Sequence, residues 1–117
     1  MKIKKEDLDQ FCGSQTKYRH WLYNLVFTEG VHYLMANGAS WLVDVIASHQ
    51  PSLKNNQRLQ EFQVWNLTLD GKGGCVVSCQ EDSNTPMVVE QKIEYTDFPF
   101  DIKIYVENGC ILLPSEH

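Results

Sequence analysis

The sequence lacks the features that mark membrane, exported and zinc-binding proteins. No apolar run approaches the roughly 18 residues of a membrane-spanning helix. The first seven residues are mostly charged, without the apolar segment of an export signal, so we expect a cytoplasmic protein without membrane contact. The four cysteines form no Cys-x-x-Cys pair, and in the cytoplasm they should stay reduced.

The sequence also lacks the motifs of several enzyme classes. None of its serines lies in a Gly-x-Ser-x-Gly elbow, which argues against that kind of nucleophile. The glycine-rich segment 70–74 leads into a strand pattern, whereas a phosphate cradle needs the amides of a helix N-terminus. Cys75 and Cys79 would lie roughly 13 Å apart along a strand, too far for one tetrahedral zinc. We therefore expect two buried apolar thiols, no metal site and no cofactor.

Composition predicts a single domain covering residues 1–117. The chain is 43% hydrophobic and 21% charged, with a net charge of -5. Residues 1–60 hold seven lysines and arginines against five acidic residues, a balance of +2, whereas residues 61–117 hold three lysines against ten acidic residues, a balance of -7. The overall sign argues against nucleic acid as a partner. The acidic half predicts either a solvated sheet face or a surface for a basic protein.

Helix patterns fill the first half of the chain. Residues 4–12 have apolar positions at i, i+3 and i+4 and predict a short helix that ends at Gly13. A second helix begins at Thr28 or Gly30 and stops at Asn37-Gly38. A third, apolar on almost every side, runs from about residue 39 to 49, with Ser40 as the N-cap and Pro51 closing it. Residues 14–28 have no clear pattern beyond a plausible strand at 25–28, and 52–60 predict a polar connector.

Strand patterns fill the second half. Strands are predicted at 61–69, 75–80, 87–96, 101–107 and 110–113, and the apolar phase of the first slips near Trp65-Asn66, which indicates either a bulge or burial of both faces. Asn108-Gly109 is a typical two-residue hairpin turn. The expected fold is α+β, with N-terminal helices (1–60) packed on one face of an antiparallel four- to five-stranded meander (61–114). An uncovered edge at 101–107 or 110–113 could pair two copies in a homodimer.

Asp44 is the most informative single residue because it is the only charge in the apolar third helix. A buried carboxylate needs a partner. In a catalytic interpretation that partner is His20 or His49, which would exchange protons with it. In a structural interpretation the partner is Arg19, or the carboxylate faces solvent. We favour the structural interpretation and keep all four residues as catalytic candidates.

Candidate binding residues fall into two groups. Aromatic and basic side chains crowd the first half, among them Tyr18, Arg19, Trp21 and Trp41, and could stack on a ligand, although aromatic residues in a domain this small are more often core. Acidic side chains in the strands, chiefly Glu90 and Glu94 with Asp101 and Glu107, could imitate a nucleic-acid backbone and bind a basic host protein.

Six separated blocks of sequence resemble a family of small bacterial and cyanobacterial proteins of unknown function, which also occur on plasmids and phages. The blocks are Tyr18-Arg19-His20, Thr28-Glu29-Gly30-Val31-x-Tyr33-Leu34, Trp41-Leu42-x-Asp44-x-Ile46-Ala47-Ser48, Glu61-Phe62-Gln63-Val64-Trp65-x-Leu67, Thr96-Asp97-Phe98-Pro99 and Leu112-Leu113-Pro114-Ser115-Glu116. The resemblance implies no activity, cofactor or catalytic residue. It implies a stand-alone accessory protein borne by a mobile element.

Two functions fit the sequence best, and a third, nucleic-acid binding through Lys17, Arg19 and the aromatic residues, is disfavoured because RNP-type and OB-type patterns are absent. The first is a non-enzymatic protein-interaction module, whose partner is a host or mobile-element protein. The alternative is a small hydrolase-like enzyme that uses Asp44 with His20 or His49.

Overall fold

A computed structural model describes residues 3–8, 10–11, 17–20, 25–82 and 84–117 of the chain. The described residues form five short α-helices and one mixed sheet. The helices are α1 (Lys5–Leu8), α2 (Glu29–Leu34), α3 (Ser40–Ser48), α4 (Gln50–Leu53) and α5 (Gln57–Glu61). The strands are β1 (Lys17–Arg19), β2 (Val26–Thr28), β3 (Phe62–Leu69), β4 (Cys75–Gln80), β5 (Met87–Ile93), β6 (Ile102–Glu107) and β7 (Cys110–Leu112).

The seven strands lie in the order β1-β2-β7-β6-β3-β4-β5. All neighbours are antiparallel except β2 and β7, which are parallel, with Val26 opposite Cys110 and Phe27 opposite Ile111. The expected four- to five-stranded antiparallel meander is therefore wrong. The pairing of β2 with β7 joins strands from opposite ends of the sequence, and local patterns carry no signal for such a contact. The sheet is also not a simple meander, because β6 pairs with β3 and the chain crosses β3 and β4 to reach it.

The predicted strands of the second half match the structure closely, because their turns are encoded locally. Asn108 and Gly109 have φ values of 49° and 80°, the left-handed pair that a tight hairpin turn requires between β6 and β7. Register along β3 is continuous against both neighbours, and Val64 and Trp65, which point to opposite faces, are both buried. Of the two explanations for the phase slip in β3, the bulge is wrong, and burial of the second face holds at Val64 but not at Thr68, which is exposed.

Helix boundaries were predicted less well. Thr28 does cap α2, where its side chain accepts a hydrogen bond from the amide of Val31. The chain bends at Gly38, which has a φ of 105°, but the cap residue of α3 is Ala39 and not the expected Ser40. Pro51 does not end the helical region, because it lies in the first turn of α4, where its missing N–H costs nothing. The first predicted helix is shorter than expected, and Gly13, its expected stop, lies outside the described residues.

The core lies between the helices and one face of the sheet, which we call the inner face. Leu42 and Ile46 of α3 pack there against Trp65, Leu67 and Ile104. Side chains from both halves of the sequence contribute to this one hydrophobic cluster. No helix in the described part of the chain is long and apolar enough to cross a membrane.

Candidate functional site

Asp44 contacts His20. Nε2 of His20 lies 3.0 Å from Oδ1 of Asp44, and since a carboxylate only accepts, the imidazole donates this hydrogen bond. The His20 side chain has no exposed surface, whereas 47% of the Asp44 side chain is exposed. The pair therefore links the end of β1 to α3, with the carboxylate at the surface and the ring beneath it.

Arg19, the expected partner of Asp44, lies on the other face of the chain. The backbone hydrogen bonds between β1 and β2 continue one residue past β1, because the amide of His20 donates to the carbonyl of Leu25 at 2.7 Å. Successive side chains of an extended chain point to opposite faces. His20 therefore faces α3, while Arg19 is exposed. Of the two structural alternatives for Asp44, pairing with Arg19 is therefore wrong, whereas a carboxylate that faces solvent agrees with its 47% exposed side chain.

His49 is held elsewhere. Its Nε2 lies 2.8 Å from Oε1 of Gln91 on β5, and its ring lies 5.9 Å from the ring of Trp65. The structure therefore does not unite His20, His49 and Asp44 in one cluster. The described residues form two larger cavities, of about 440 and 420 Å³, and none of these three residues lines either of them.

The aromatic residues of the first half pack against one another. Tyr18 stacks on His32 with ring centres 4.3 Å apart and on Phe27 at 5.5 Å. Tyr18 and Trp41 are partly buried against the core. Trp21, the remaining aromatic candidate for ligand binding, lies outside the described residues. The described aromatic candidates thus already have intramolecular contacts.

The cysteines of β4 are core residues, as expected. Cys75 and Cys79 have no exposed surface. Burial raises the pKa of the Cys79 thiol to about 12, and that of Cys75 in the same direction. Both thiols stay protonated at neutral pH, which makes them poor nucleophiles and poor metal ligands. No group of three or more histidine, cysteine or acidic side chains in the described ranges is placed to hold a metal ion.

The acidic residues do not form one surface. Oδ1 of Asp101 accepts the amide of Leu69 at 2.8 Å, and Oε2 of Glu107 lies 2.9 Å from Nε2 of His117. Glu90 and Glu94 are exposed on or just beyond β5, where Lys92 lies between them. The four acidic candidates are therefore divided between two structural contacts and one edge of the sheet.

The β5 edge of the sheet is the most open apolar feature of the described chain. We use the term β5 edge for residues 87–95. β4 covers one side of β5, and no strand formed by the described residues lies on the other. Among the described residues, the large hydrophobic side chains that are exposed all belong to this segment: Met87 (44%), Val88 (45%) and Tyr95 (78%).

The expected edges at 101–107 and 110–113 are wrong. β6 and β7 lie inside the sheet because β2 and β1 extend it beyond β7. Sequence reasoning missed the β5 edge for the same reason, since the identity of the outermost strand depends on the whole strand order. The only local signal was the weak alternation of Met87-Val88-Val89, where three apolar residues follow one another.

The fold defines a small mixed α/β domain whose helices cover one face of a seven-stranded sheet. Across residues 2–117 the chain matches the model of a family of unknown function, DUF6876, and it belongs to that family. Comparison with curated proteins and with solved structures finds no match.

Proposed function

We propose that this chain is a non-enzymatic protein-interaction module that binds another polypeptide by strand addition at the β5 edge. The observation that carries the proposal is that, among the described residues, the outer edge of β5 lacks a neighbouring strand and the exposed large apolar side chains lie beside that edge. An open edge presents a row of backbone N–H and C=O groups to an incoming strand. Exposed apolar side chains beside that row supply the contact area that backbone hydrogen bonds alone do not.

We base the biological setting on the resemblance of the six sequence blocks to a family of small bacterial and cyanobacterial proteins. We propose a small cytoplasmic accessory protein of bacterial, mobile-element origin, whose partner is a host or mobile-element protein. The dispersed acidic residues support strand addition better than imitation of a nucleic-acid backbone, because Asp101 and Glu107 are engaged within the fold.

The contact between His20 and Asp44 favours a second candidate, a small hydrolase. Its difficulty is access, because a general base must reach the proton that it removes and the His20 ring is wholly covered. His49 contacts Gln91, whereas the carboxylate of Asp44 contacts His20. We therefore assign the pair to the attachment of β1 to α3.

A photo-cross-linking amino acid placed at Tyr95 tests the proposal. In cells, the benzophenone variant of Tyr95 should form a covalent adduct with one defined polypeptide. The matched control is Tyr105, a tyrosine on β6 inside the sheet, where the same substitution should form none. Thermal unfolding of both variants checks that they remain folded. Equal adducts at both positions, or none at Tyr95, would contradict the proposal.

A further inference from the structure

The regular part of β5 has a symmetric sequence. The pairing of β5 with β4 shifts register between Cys79 and Gln80, so that Val88 is an extra residue and regular pairing covers 89–93. Those five residues read Val-Glu-Gln-Lys-Ile. The segment has an apolar residue at each end, opposite charges at the second and fourth positions and a neutral amide in the centre.

The two faces of this segment differ. Val89 and Ile93 pack against the core on the inner face, as does Gln91 through its contact with His49. Glu90 and Lys92 lie on the opposite face and are exposed. Within the part of the chain that the structure describes, neither forms an ion pair within 4.0 Å, and the Lys92 ammonium attracts the Asp70 carboxylate only from a longer distance.

We infer that the polypeptide that pairs with the β5 edge is a second copy of this chain, in a two-fold arrangement centred on Gln91. This inference rests on the proposed function. A two-fold axis perpendicular to the sheet makes the two β5 strands antiparallel and keeps each residue on its own face. With the axis at Gln91, Val89 lies opposite Ile93 and Glu90 lies opposite Lys92, each pair formed twice.

If the two-fold axis lies at a residue next to Gln91, side chains of like charge face each other across the two strands. An axis at Glu90 places two carboxylates opposite each other, and an axis at Lys92 does the same with two ammonium groups. Like charges directly opposite destabilise a strand pair, whereas opposite charges stabilise it. A shift by an odd number of residues would exchange the inner and outer faces. Gln91 is therefore the centre that satisfies both the charges and the apolar residues.

The two-fold axis also places the start of the β5 edge in one copy beside its end in the other. Met87 and Val88 precede the symmetric segment, and Tyr95 follows it, so the start of one strand meets the end of the other. The exposed apolar side chains of the two copies then lie beside each other. A single pair of strands buries less surface than the roughly 1,200–2,000 Å² of a stable interface, so the dimer should dissociate on dilution.

Sedimentation equilibrium over a range of concentrations tests this inference. Wild-type protein should show a reversible monomer–dimer equilibrium. Glu90→Lys places lysines opposite lysines, and Lys92→Glu places carboxylates opposite carboxylates, so each variant alone should dimerise about tenfold more weakly. An equimolar mixture of the two variants should recover dimerisation, because every cross-strand pair in the heterodimer then joins opposite charges.

Two control variants match the changes in net charge. Glu94→Lys alters the same edge outside the symmetric segment, and Lys103→Glu alters β6 inside the sheet, so both should dimerise like the wild type. A monomer at every concentration overturns the inference, as does a dimer that ignores the reversals at 90 and 92 or a mixture that fails to recover. The proposed function would survive those outcomes if the cross-linker at Tyr95 captured a different polypeptide.

Discussion

Nε2 of His20 lies 3.0 Å from Oδ1 of Asp44, so one hydrogen bond joins the end of β1 to the middle of α3. The imidazole is buried and the carboxylate is half exposed. The carboxylate of Asp44, the single charge of α3, thus accepts a hydrogen bond from the buried His20 ring and lies on its surface side. This arrangement joins β1 to α3 through a ring that has no exposed surface.

Removing the carboxylate of Asp44 should destabilise the fold. Asp44→Ala leaves the buried Nε2–H of His20 without this acceptor, at a cost of about 1–3 kcal/mol in the free energy of unfolding. Asp44→Asn retains an amide oxygen in the same place and should cost less. Urea unfolding of both variants measures the difference. Wild-type stability in Asp44→Ala would show that the contact does not attach β1.

Glu116 fixes the end of the chain against α2. Its Oε1 accepts from Thr28 Oγ1 at 2.6 Å and from the Leu113 amide at 3.0 Å, and its Oε2 accepts from the Gly30 amide at 3.2 Å. A Cβ on Gly30 would lie 2.7 Å from both Oε1 of Glu116 and Cδ1 of Leu113. Gly30→Ala should therefore cost about 1–3 kcal/mol.

A double-mutant cycle separates crowding from other effects at Gly30. Glu116→Ala removes one of the two crowding groups, so Gly30→Ala should cost less in that background than in the wild type. Urea unfolding of the four proteins gives the coupling energy. Strict additivity of the two substitutions would contradict the close approach of Gly30 and Glu116.

Gln63 satisfies several buried polar groups at once. Its Oε1 accepts from Trp65 Nε1 at 2.7 Å and from Gln50 Nε2 at 2.9 Å, while its Nε2 donates to the Leu59 carbonyl at 2.9 Å. Gln63→Leu removes all of these contacts and should cost about 3 kcal/mol. Adding Trp65→Phe should cost less in that background than in the wild type, because the indole N–H has already lost its partner. A loss below about 1 kcal/mol for Gln63→Leu would contradict this role.

Asp70 should make the β3–β4 turn sensitive to acid. Its Oδ1 accepts the amides of Lys72 at 2.7 Å and Gly74 at 3.1 Å, and these bonds lower the pKa of the carboxyl below 3.8. A lowered pKa in the folded state adds stability above the ordinary pKa, and this stability is lost as the pH falls through the lowered value. Asp70→Ala should therefore lower the melting temperature at pH 7, and the difference from wild type should shrink below about pH 4. A difference that does not vary with pH would contradict this assignment.

The sequence predicted the central strands because their signals are local. Alternation along β5 and β6 and the turn at Asn108-Gly109 depend on residues close together in the chain. The parallel pairing of Val26 with Cys110 joins residues far apart in the chain. Because β2 is only three residues long, no sequence pattern indicated which strand it would pair with. The outermost strand could not be identified for the same reason. Arg19 was misplaced for a different reason, because no strand was predicted at β1 and the alternation of Arg19 with His20 was therefore not expected. His20 was one of several candidate partners of Asp44 among which the sequence could not choose.

Residue-resolved amide hydrogen exchange at the β5 edge tests the proposed function most directly. It should be recorded on the chain alone at high dilution and on the chain bound to whichever polypeptide the Tyr95 cross-linker captures. Strand addition predicts that the amides of Val89–Ile93 that point away from β4 exchange rapidly in the free chain and become protected in the complex, while those of β1 at the opposite edge do not change. Protection at β1 or in the helices, with Val89–Ile93 unchanged, would contradict it.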